Sequence, residues 1–222
     1  DVGTMIITIF EDQDNKSLLT LNEVRASFEL RCGAFTNLER IKNSLDINDE
    51  IQLLVRDNIK DIVQERYPDI IVNPASLSPG IWLNGLALWK KDYVQKITSG
   101  RVYTQKGRTI AMHNRKVISI SEASSYIEKS SEVSMEMDIP FIHHIWDPIF
   151  MQSEMITLDA KHFMDYKSGK IHPSVVLENG DNIYIGENSE IRPGVVLDAS
   201  AGPIIIADNV YIDIGALIQG PV

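Results

Sequence analysis

From Ile171 onward the chain carries an apolar beat of six residues, on Ile171, Leu177, Ile185, Ile191, Leu197, Ile206, Ile212 and Ile218. Four positions after most of these comes a small or β-branched residue, at Val175, Ser189, Val195, Val210 and Ala216. A helix repeats near 3.6 residues and a simple strand every 2, so neither sustains this period. Three six-residue sides per coil make a triangular solenoid of very short parallel strands. Each leading aliphatic side chain then points inward and stacks on its equivalent about 4.8 Å away. The beat slips by two residues between Leu177 and Ile185, and by three between Leu197 and Ile206 across Ala199-Ser200-Ala201-Gly202-Pro203. Insertions of that size belong at corners, where they loop outward. A β-sandwich with Gly-rich turns is the alternative, but its strands alternate more cleanly and need no sixfold beat.

Upstream, short strands alternate with helices, which predicts an α/β domain. Met5 to Phe10 reads as the central strand of a covered sheet and ends in Glu11-Asp12. Acidic residues just beyond the carboxyl end of a first strand stand where open α/β sheets bind ligands. Thr36 is placed to cap a helix over 36–44, with Glu39 completing a capping box. Strands are expected over 51–55 and 70–73 around a helix at 59–67. A further strand over 81–85 enters a turn at Asn84-Gly85, a pair suited to positive φ. Segments 101–104 and 109–112 flank Gln105-Lys106-Gly107-Arg108 as a hairpin. Helices are expected over 121–131 and from Asp147 to about Met155. The expected domains are residues 5–160 and 170–222.

A formal charge of −10 argues against a nucleic-acid partner, because phosphate backbones want clustered Lys and Arg. Cys32 is the single cysteine, which forbids an internal disulfide and fits a reducing, cytoplasmic compartment. No apolar run approaches the roughly 20 residues of a membrane span. Asp1-Val2-Gly3-Thr4 reads as vector remnant ahead of a native Met5, and the solenoid stops in mid-coil at Gly220-Pro221-Val222. An uncovered last coil offers strand edge and core to solvent, so a longer parent protein is expected.

Across nearly the whole chain the sequence resembles the sugar-phosphate nucleotidyltransferase-like proteins grouped with the bifunctional N-acetylglucosamine-1-phosphate uridylyltransferase/acetyltransferase. The resemblance rests on Phe10-Glu11-Asp12, on Leu21 through Gly33 with its Phe28-Glu29-Leu30-Arg31-Cys32-Gly33 run, on Trp82-Leu83-Asn84-Gly85, and on Trp146-Asp147 ahead of the repeats. Ile185-Gly186-Glu187-Asn188-Ser189-Glu190 and Ile191-Arg192-Pro193-Gly194-Val195-Val196 are similar to the hexapeptide repeat of left-handed β-helices. The resemblance implies a divergent Rossmann-like nucleotidyltransferase domain followed by a left-handed parallel β-helix. It also implies a nucleoside triphosphate and a sugar 1-phosphate as substrates, Mg²⁺ as cofactor, and a homotrimer assembled through the β-helix. Two other functions stay open: acyl transfer by further coils of a longer parent, and an inactive module that binds a sugar nucleotide or organises a trimer.

Nucleotidyltransferases of the resembled kind open with a Gly-rich loop whose backbone donors wrap the phosphates while Mg²⁺ bridges acidic side chains and phosphate oxygens. Here the corresponding loop, Glu11 to Arg25, contains no glycine. Arg25 falls where the subgroup carries an Arg-Pro pair, with Ala26 in place of the proline. Arg25 and Arg31 are candidate bidentate phosphate ligands; the alternative is that they pair with Glu23 or Glu29 and pin the loop. Lys16 is a candidate phosphate-binding lysine, set against an ordinary solvated one. By position Glu11 is a candidate nucleotide ligand and Asp12 a metal ligand, set against helix capping or plain loop charge. Asn84, beside Gly85, is a candidate for a sugar hydroxyl, although a turn asparagine needs no ligand. Cys32 reads as packing, since no histidine nearby would activate it. His143, His144 and Asp147 do not form a zinc set, because adjacent histidines on a strand point opposite ways. Trp82, Trp89 and Trp146 read as core or interface aromatics. His172, at the solenoid entrance, reads as structural rather than as an acyltransferase base.

Overall fold

Ile6–Phe10 forms strand β1, an interior strand of a mixed seven-stranded sheet in the computed structural model, which describes residues 5–11, 18, 23–46, 48–130, 134–166 and 168–222. The other strands are β2 (Glu50–Leu54), β3 (Ile71–Val72), β4 (Gly80–Asn84), β5 (Val102–Gln105), β6 (Arg108–Asn114) and β7 (Met135–Glu136). Their order across the sheet is β7-β5-β6-β4-β1-β2-β3, and β1 pairs in parallel with both β2 and β4. Only β6 runs against the rest. Because β1 is covered on both sides it can be almost wholly apolar. Its one polar residue, Thr8, is fully buried and accepts from the Gln52 side-chain amide at 2.7 Å.

Phe10, Trp82 and Met112 build one core layer with Ala123 and Ile127 of the helix Ile120–Ser130. The helix Asn37–Lys42 starts as the capping rule predicts. Thr36 Oγ1 accepts the Glu39 N–H at 3.2 Å, and the Glu39 carboxylate accepts the Thr36 N–H at 2.7 Å. Thr36→Ala removes half of that exchange and should cost about 1 kcal/mol of stability, read by chemical denaturation; no measurable change would mean that packing alone holds the helix.

The chain divides into two compact units, Asp1–Leu30 with Thr36–Asp147, and Arg31–Phe35 with Pro148–Val222. The second unit holds the left-handed parallel β-helix, whose three faces are stacked from strands of two or three residues. Ile171 pairs with Ile191 and Ile191 with Ile212, so the first coil takes 20 residues and the next 21. These are the lengths set by the two slips in the beat. The first insertion becomes a single 3₁₀ turn, Gly180–Asn182, turned outward at Asn179 with φ +56°. Ile185, Ile191, Leu197, Ile206 and Ile212 form the common core with Val195 and Ile204. Ile171 and Leu177, in the first coil, are 41% and 40% exposed.

The segment Arg31–Phe35 belongs to this second unit through the helix Asp147–Asp159, which extends one turn further than the sequence pattern suggests. The Gly33 N–H donates to Gln152 Oε1 at 3.0 Å, and the Ala34 N–H to the buried Asp159 carboxylate at 2.9 Å. Phe35 stacks on Phe163 at 5.4 Å, and Cys32 is fully buried.

Candidate functional site at the carboxyl edge of the sheet

Glu11 is the first residue beyond β1, and its backbone N–H bonds the carbonyl of Leu54 at the end of β2. Its side chain turns back to organise the segment that follows. Glu11 Oε1 accepts the Ser27 N–H at 3.2 Å and pairs with the Arg56 guanidinium, while Oε2 accepts the Arg56 N–H at 3.1 Å. Arg56 then donates through Nη2 to the carbonyls of Glu23 and Arg25, both at 3.3 Å. A second carboxylate repeats the device. Buried Glu29 accepts the Ala26 N–H at 2.7 Å and pairs with Arg66 at 2.9 Å, and Arg66 donates to the Val24 carbonyl at 2.9 Å. Three consecutive carbonyls, 23 to 25, are therefore held by guanidinium groups, and the next two N–H groups by carboxylates. Residues 23–27 are clamped by side chains where a Gly-rich loop would be shaped by backbone freedom.

The electrostatics follow from burial. Desolvation pushes the Glu11 carboxyl above its ordinary value of 4.5, against the pull of the Arg56 N–H and charge. Desolvation and the Glu29 charge push the Tyr67 phenol up to about 12, so it stays a donor to Glu29.

Asn84 and Gly85 sit at the end of β4. Asn84 is fully buried; its side chain donates to the Thr109 carbonyl and accepts the Leu86 N–H, both at 2.9 Å. Its carbonyl takes the Trp89 indole N–H at 3.0 Å. Neither residue has positive φ, contrary to the turn expected from the sequence. The glycine is needed for space: a Cβ at Gly85 would lie 2.8 Å from Phe28 Cβ, 3.2 Å from Phe28 N and 3.2 Å from Ser27 Oγ. The clamped segment thus rests directly on the β4 turn. The Asn37 amide bonds the Gly85 carbonyl at 2.8 Å, tying the capped helix to the same spot.

Since β5 runs with β4 and β1, its hairpin tip reaches the same edge of the sheet. The tip turns at Lys106 and Gly107, with φ +50° and +79°, a two-residue turn of the kind that matches strand twist. Beside it the segment after Ile139 is held against the β4 turn, the Leu88 N–H bonding the Pro140 carbonyl and the Ile142 N–H the Leu86 carbonyl. Arg108 lies over the Phe141 ring at 5.7 Å. A row of rings continues outward: Phe141 to His143 at 4.8 Å, then His144 stacked on Trp146 at 4.8 Å with planes 4° apart. Burial first, then the charges of Arg108 and Lys106, lower the pKa of His143. Trp82 and Trp89 are fully buried as expected, but Trp146 is 49% exposed and so is no core residue.

The structure brings Glu11, Arg25 and Gly85 together through the clamp. Arg25 is exposed there, and among the described residues nothing pairs with its guanidinium. Arg31 stands in the second unit, where its guanidinium bonds the Ala34 carbonyl. Asp12 and Lys16 lie outside the described residues. Arg56 and Arg66 were missed in the sequence. The available signal was position, since Arg56 follows β2 almost as Glu11 follows β1. Among the described residues no three His, Cys, Asp or Glu side chains converge on a metal position, and the oxygens of Glu11 are engaged by Arg56 and Ser27. These residues do not make a Mg²⁺ site by themselves. In the β-helix, His172 Nδ1 accepts the Ser174 N–H at 3.1 Å and lies 2.8 Å from the Ser174 hydroxyl, contacts local to its own turn.

No helix of the described residues is long and apolar enough to cross a membrane. None of the curated proteins matches the chain. A sequence profile described as sugar nucleotidyl transferase matches residues 7–167, well over half of the 222 residues. The chain belongs to the sugar nucleotidyl transferase family.

Proposed function

We propose that the first unit joins a nucleoside triphosphate to a sugar 1-phosphate, forming a nucleotide sugar and releasing pyrophosphate. A phosphate oxygen of the sugar 1-phosphate attacks the α-phosphorus of the nucleotide. The bond from that phosphorus to the bridging oxygen of the leaving pyrophosphate breaks. Such a transfer depends on alignment and on neutralising phosphate charge. The observation that carries this reading is the clamp over residues 23–27, which presents Arg25 at the carboxyl edge of the sheet in a chain of this family. The Ala26 and Ser27 N–H groups are spent on Glu29 and Glu11 rather than offered to phosphates. Charge for the nucleotide therefore comes from side chains: Arg25 in this proposal, with Lys16 as its partner. Glu11 acts as a positioning residue, and Asn84 with Gly85 seats the clamp. Mg²⁺, suggested by the family with Asp12 as the residue that would hold it, would add phosphate neutralisation.

One observation favours a second reading, a module that binds a sugar nucleotide without turnover. The acidic residue directly beyond β1 is committed to Arg56, and the loop it anchors contains no glycine. A homotrimer through the β-helix, in the cytoplasm, is compatible with either reading.

Arg25→Ala should weaken nucleotide binding about tenfold or more, the scale of one charge-assisted phosphate contact, and leave stability unchanged because the side chain is exposed. Calorimetric titration with several nucleoside triphosphates, alongside a pyrophosphate-release assay over several sugar 1-phosphates, separates the cases. Binding without release selects the module. Failure of every nucleoside triphosphate to bind removes the transfer reading, and failure of nucleotide sugars as well removes the module.

A further inference from the structure

We infer that Asn179-Gly180 is a site of spontaneous deamidation, at which the Gly180 backbone nitrogen attacks the Asn179 side-chain amide and alters the first coil of the β-helix with age. This inference is independent of the proposed nucleotidyl transfer.

The chemistry is internal to the chain. The Gly180 nitrogen gives up its proton and forms a bond to the Asn179 amide carbon, and the side-chain nitrogen leaves as ammonia. Water then opens the resulting cyclic imide at either carbonyl. One opening yields aspartate. The other yields isoaspartate, in which the main chain runs through the former side chain and is longer by a carbon. A following glycine favours the attack, because no Cβ crowds the nitrogen and the backbone rotates freely.

Asn-Gly pairs occur in the sequence at 84–85 and at 179–180, and the structure separates them. Asn84 is fully buried at the end of β4, with both ends of its side-chain amide bonded. Asn179 and Gly180 are exposed, at the outward turn of the first coil. The bonds of that turn run from the Asn182 N–H to the Asn179 carbonyl and from the Ile183 N–H to the Gly180 carbonyl, so the Gly180 N–H stands outside them. For the attack, Asn179 must rotate away from φ +56° and ψ +50° and release the 3.0 Å bond from its amide to the Ala199 carbonyl. That opening is local. The strand Val176–Glu178 lies at the end of its stack, and the inward Ile171 and Leu177 of the same coil remain exposed, so little packing opposes it.

Either product weakens this corner. The bond to Ala199 joins the turn to the next coil, and a carboxylate cannot donate it. The new charge falls between Glu178 and Asp181, on a chain whose formal charge is already −10. Isoaspartate also lengthens a coil whose path is fixed by stacking on its neighbour.

Two substitutions isolate the reaction. A Cβ at Gly180 would meet Leu177 Cβ at 3.8 Å, an ordinary contact, and Gly180 lies outside the left-handed region. Gly180→Ala therefore crowds the nucleophile without straining the turn. Asn179 does lie in that region, which glycine adopts readily, so Asn179→Gly removes the reacting amide and keeps the backbone path.

The full chain is held at mildly alkaline pH and digested, and its peptides are read for the mass gain of deamidation and for isoaspartate with an isoaspartate-specific methyltransferase. Isoaspartate should accumulate in the peptide carrying Asn179 and not in the peptide carrying Asn84, faster as pH rises. Gly180→Ala should lose most of the signal and Asn179→Gly all of it. Asn179→Asp, which reproduces one product, should unfold at a lower urea concentration than the parent chain. Equal modification at both pairs in the folded chain reports global unfolding and overturns the inference. So does a folded chain without isoaspartate at Asn179 under conditions where the unfolded chain forms it at both pairs, or a signal that Gly180→Ala leaves intact. Unaltered stability in Asn179→Asp overturns the weakening of the corner.

Discussion

Arg56→Ala is expected to lose about 3 kcal/mol of unfolding free energy near neutral pH, the lower end of the range for breaking a buried ion pair by removing one partner. The lower end applies because the pair is uneven: the Glu11 side chain is 4% exposed and that of Arg56 27%. Without the guanidinium a carboxylate is left in a nearly dry position with only two backbone donors. The carbonyls of Glu23 and Arg25 lose their partner as well.

The effect should depend on pH in a definite direction. Burial already holds the Glu11 carboxyl above 4.5, so the folded protein binds that proton more tightly than the unfolded chain. The stability linked to it is complete below that ordinary value and is lost as pH rises through the raised one. Removing Arg56 raises the carboxyl further. The cost of the substitution is therefore small where Glu11 is protonated in both proteins and reaches its full size once it is ionised in both. Urea denaturation of the two proteins from about pH 4 to pH 7 tests this, and a loss equal at both ends would remove the counter-ion argument. Glu11→Gln is not a harmless control, since its amide would face the Ser27 or Arg56 N–H with another donor. A cycle of the two single variants and the double variant should show coupling of about 1 kcal/mol or more, as expected for groups in one network.

The same pair marks the boundary of what could be read from the sequence. The coils of the β-helix were legible apart from their hand, which the periodicity does not fix, because each coil is a local object and the inward residues recur at a fixed step; only the first-coil Ile171 and Leu177 depart from it by staying exposed. Even the two slips in that step carry through as coils of 20 and 21 residues. The capping box at Thr36 and Glu39 and the hairpin at Lys106-Gly107 were legible for the same reason. The clamp was not. Glu11 and Arg56 are 45 positions apart and Glu29 and Arg66 are 37 apart, and no local pattern selects one arginine over another at such distances. Proximity in sequence suggested Arg31 as a neighbour for Glu29, yet Arg31 belongs to a different compact unit. The role of Gly85 was hidden similarly. A glycine after asparagine reads as a turn signal, and only the packed structure shows that Phe28 lies against it.

Gly85→Ala should accordingly act through that contact rather than through backbone strain. The added methyl would stand 2.8 Å from Phe28 Cβ and 3.2 Å from Phe28 N. Phe28 and Ser27 are both fully buried, so the pair has no open side toward which to move. Overpacking in such a place costs typically about 1–3 kcal/mol, and the upper part of that range is expected here because one opposing atom is backbone. The clash falls on atoms that almost every residue shares, so shortening the ring in Gly85→Ala/Phe28→Leu should restore nothing. If the double variant recovers stability, crowding by the ring is the cause and the close backbone approach is not. A functional consequence separates this variant from Arg25→Ala. Lifting residues 27 and 28 off the β4 turn breaks the bond from the Ser27 N–H to Glu11 and moves the whole clamp. Nucleotide affinity and stability should then fall together, whereas Arg25→Ala lowers affinity alone. Nucleotide affinity that survives in a destabilised Gly85→Ala protein would mean that Arg25 does not depend on the clamp, and the site would have to be sought elsewhere along the sheet edge.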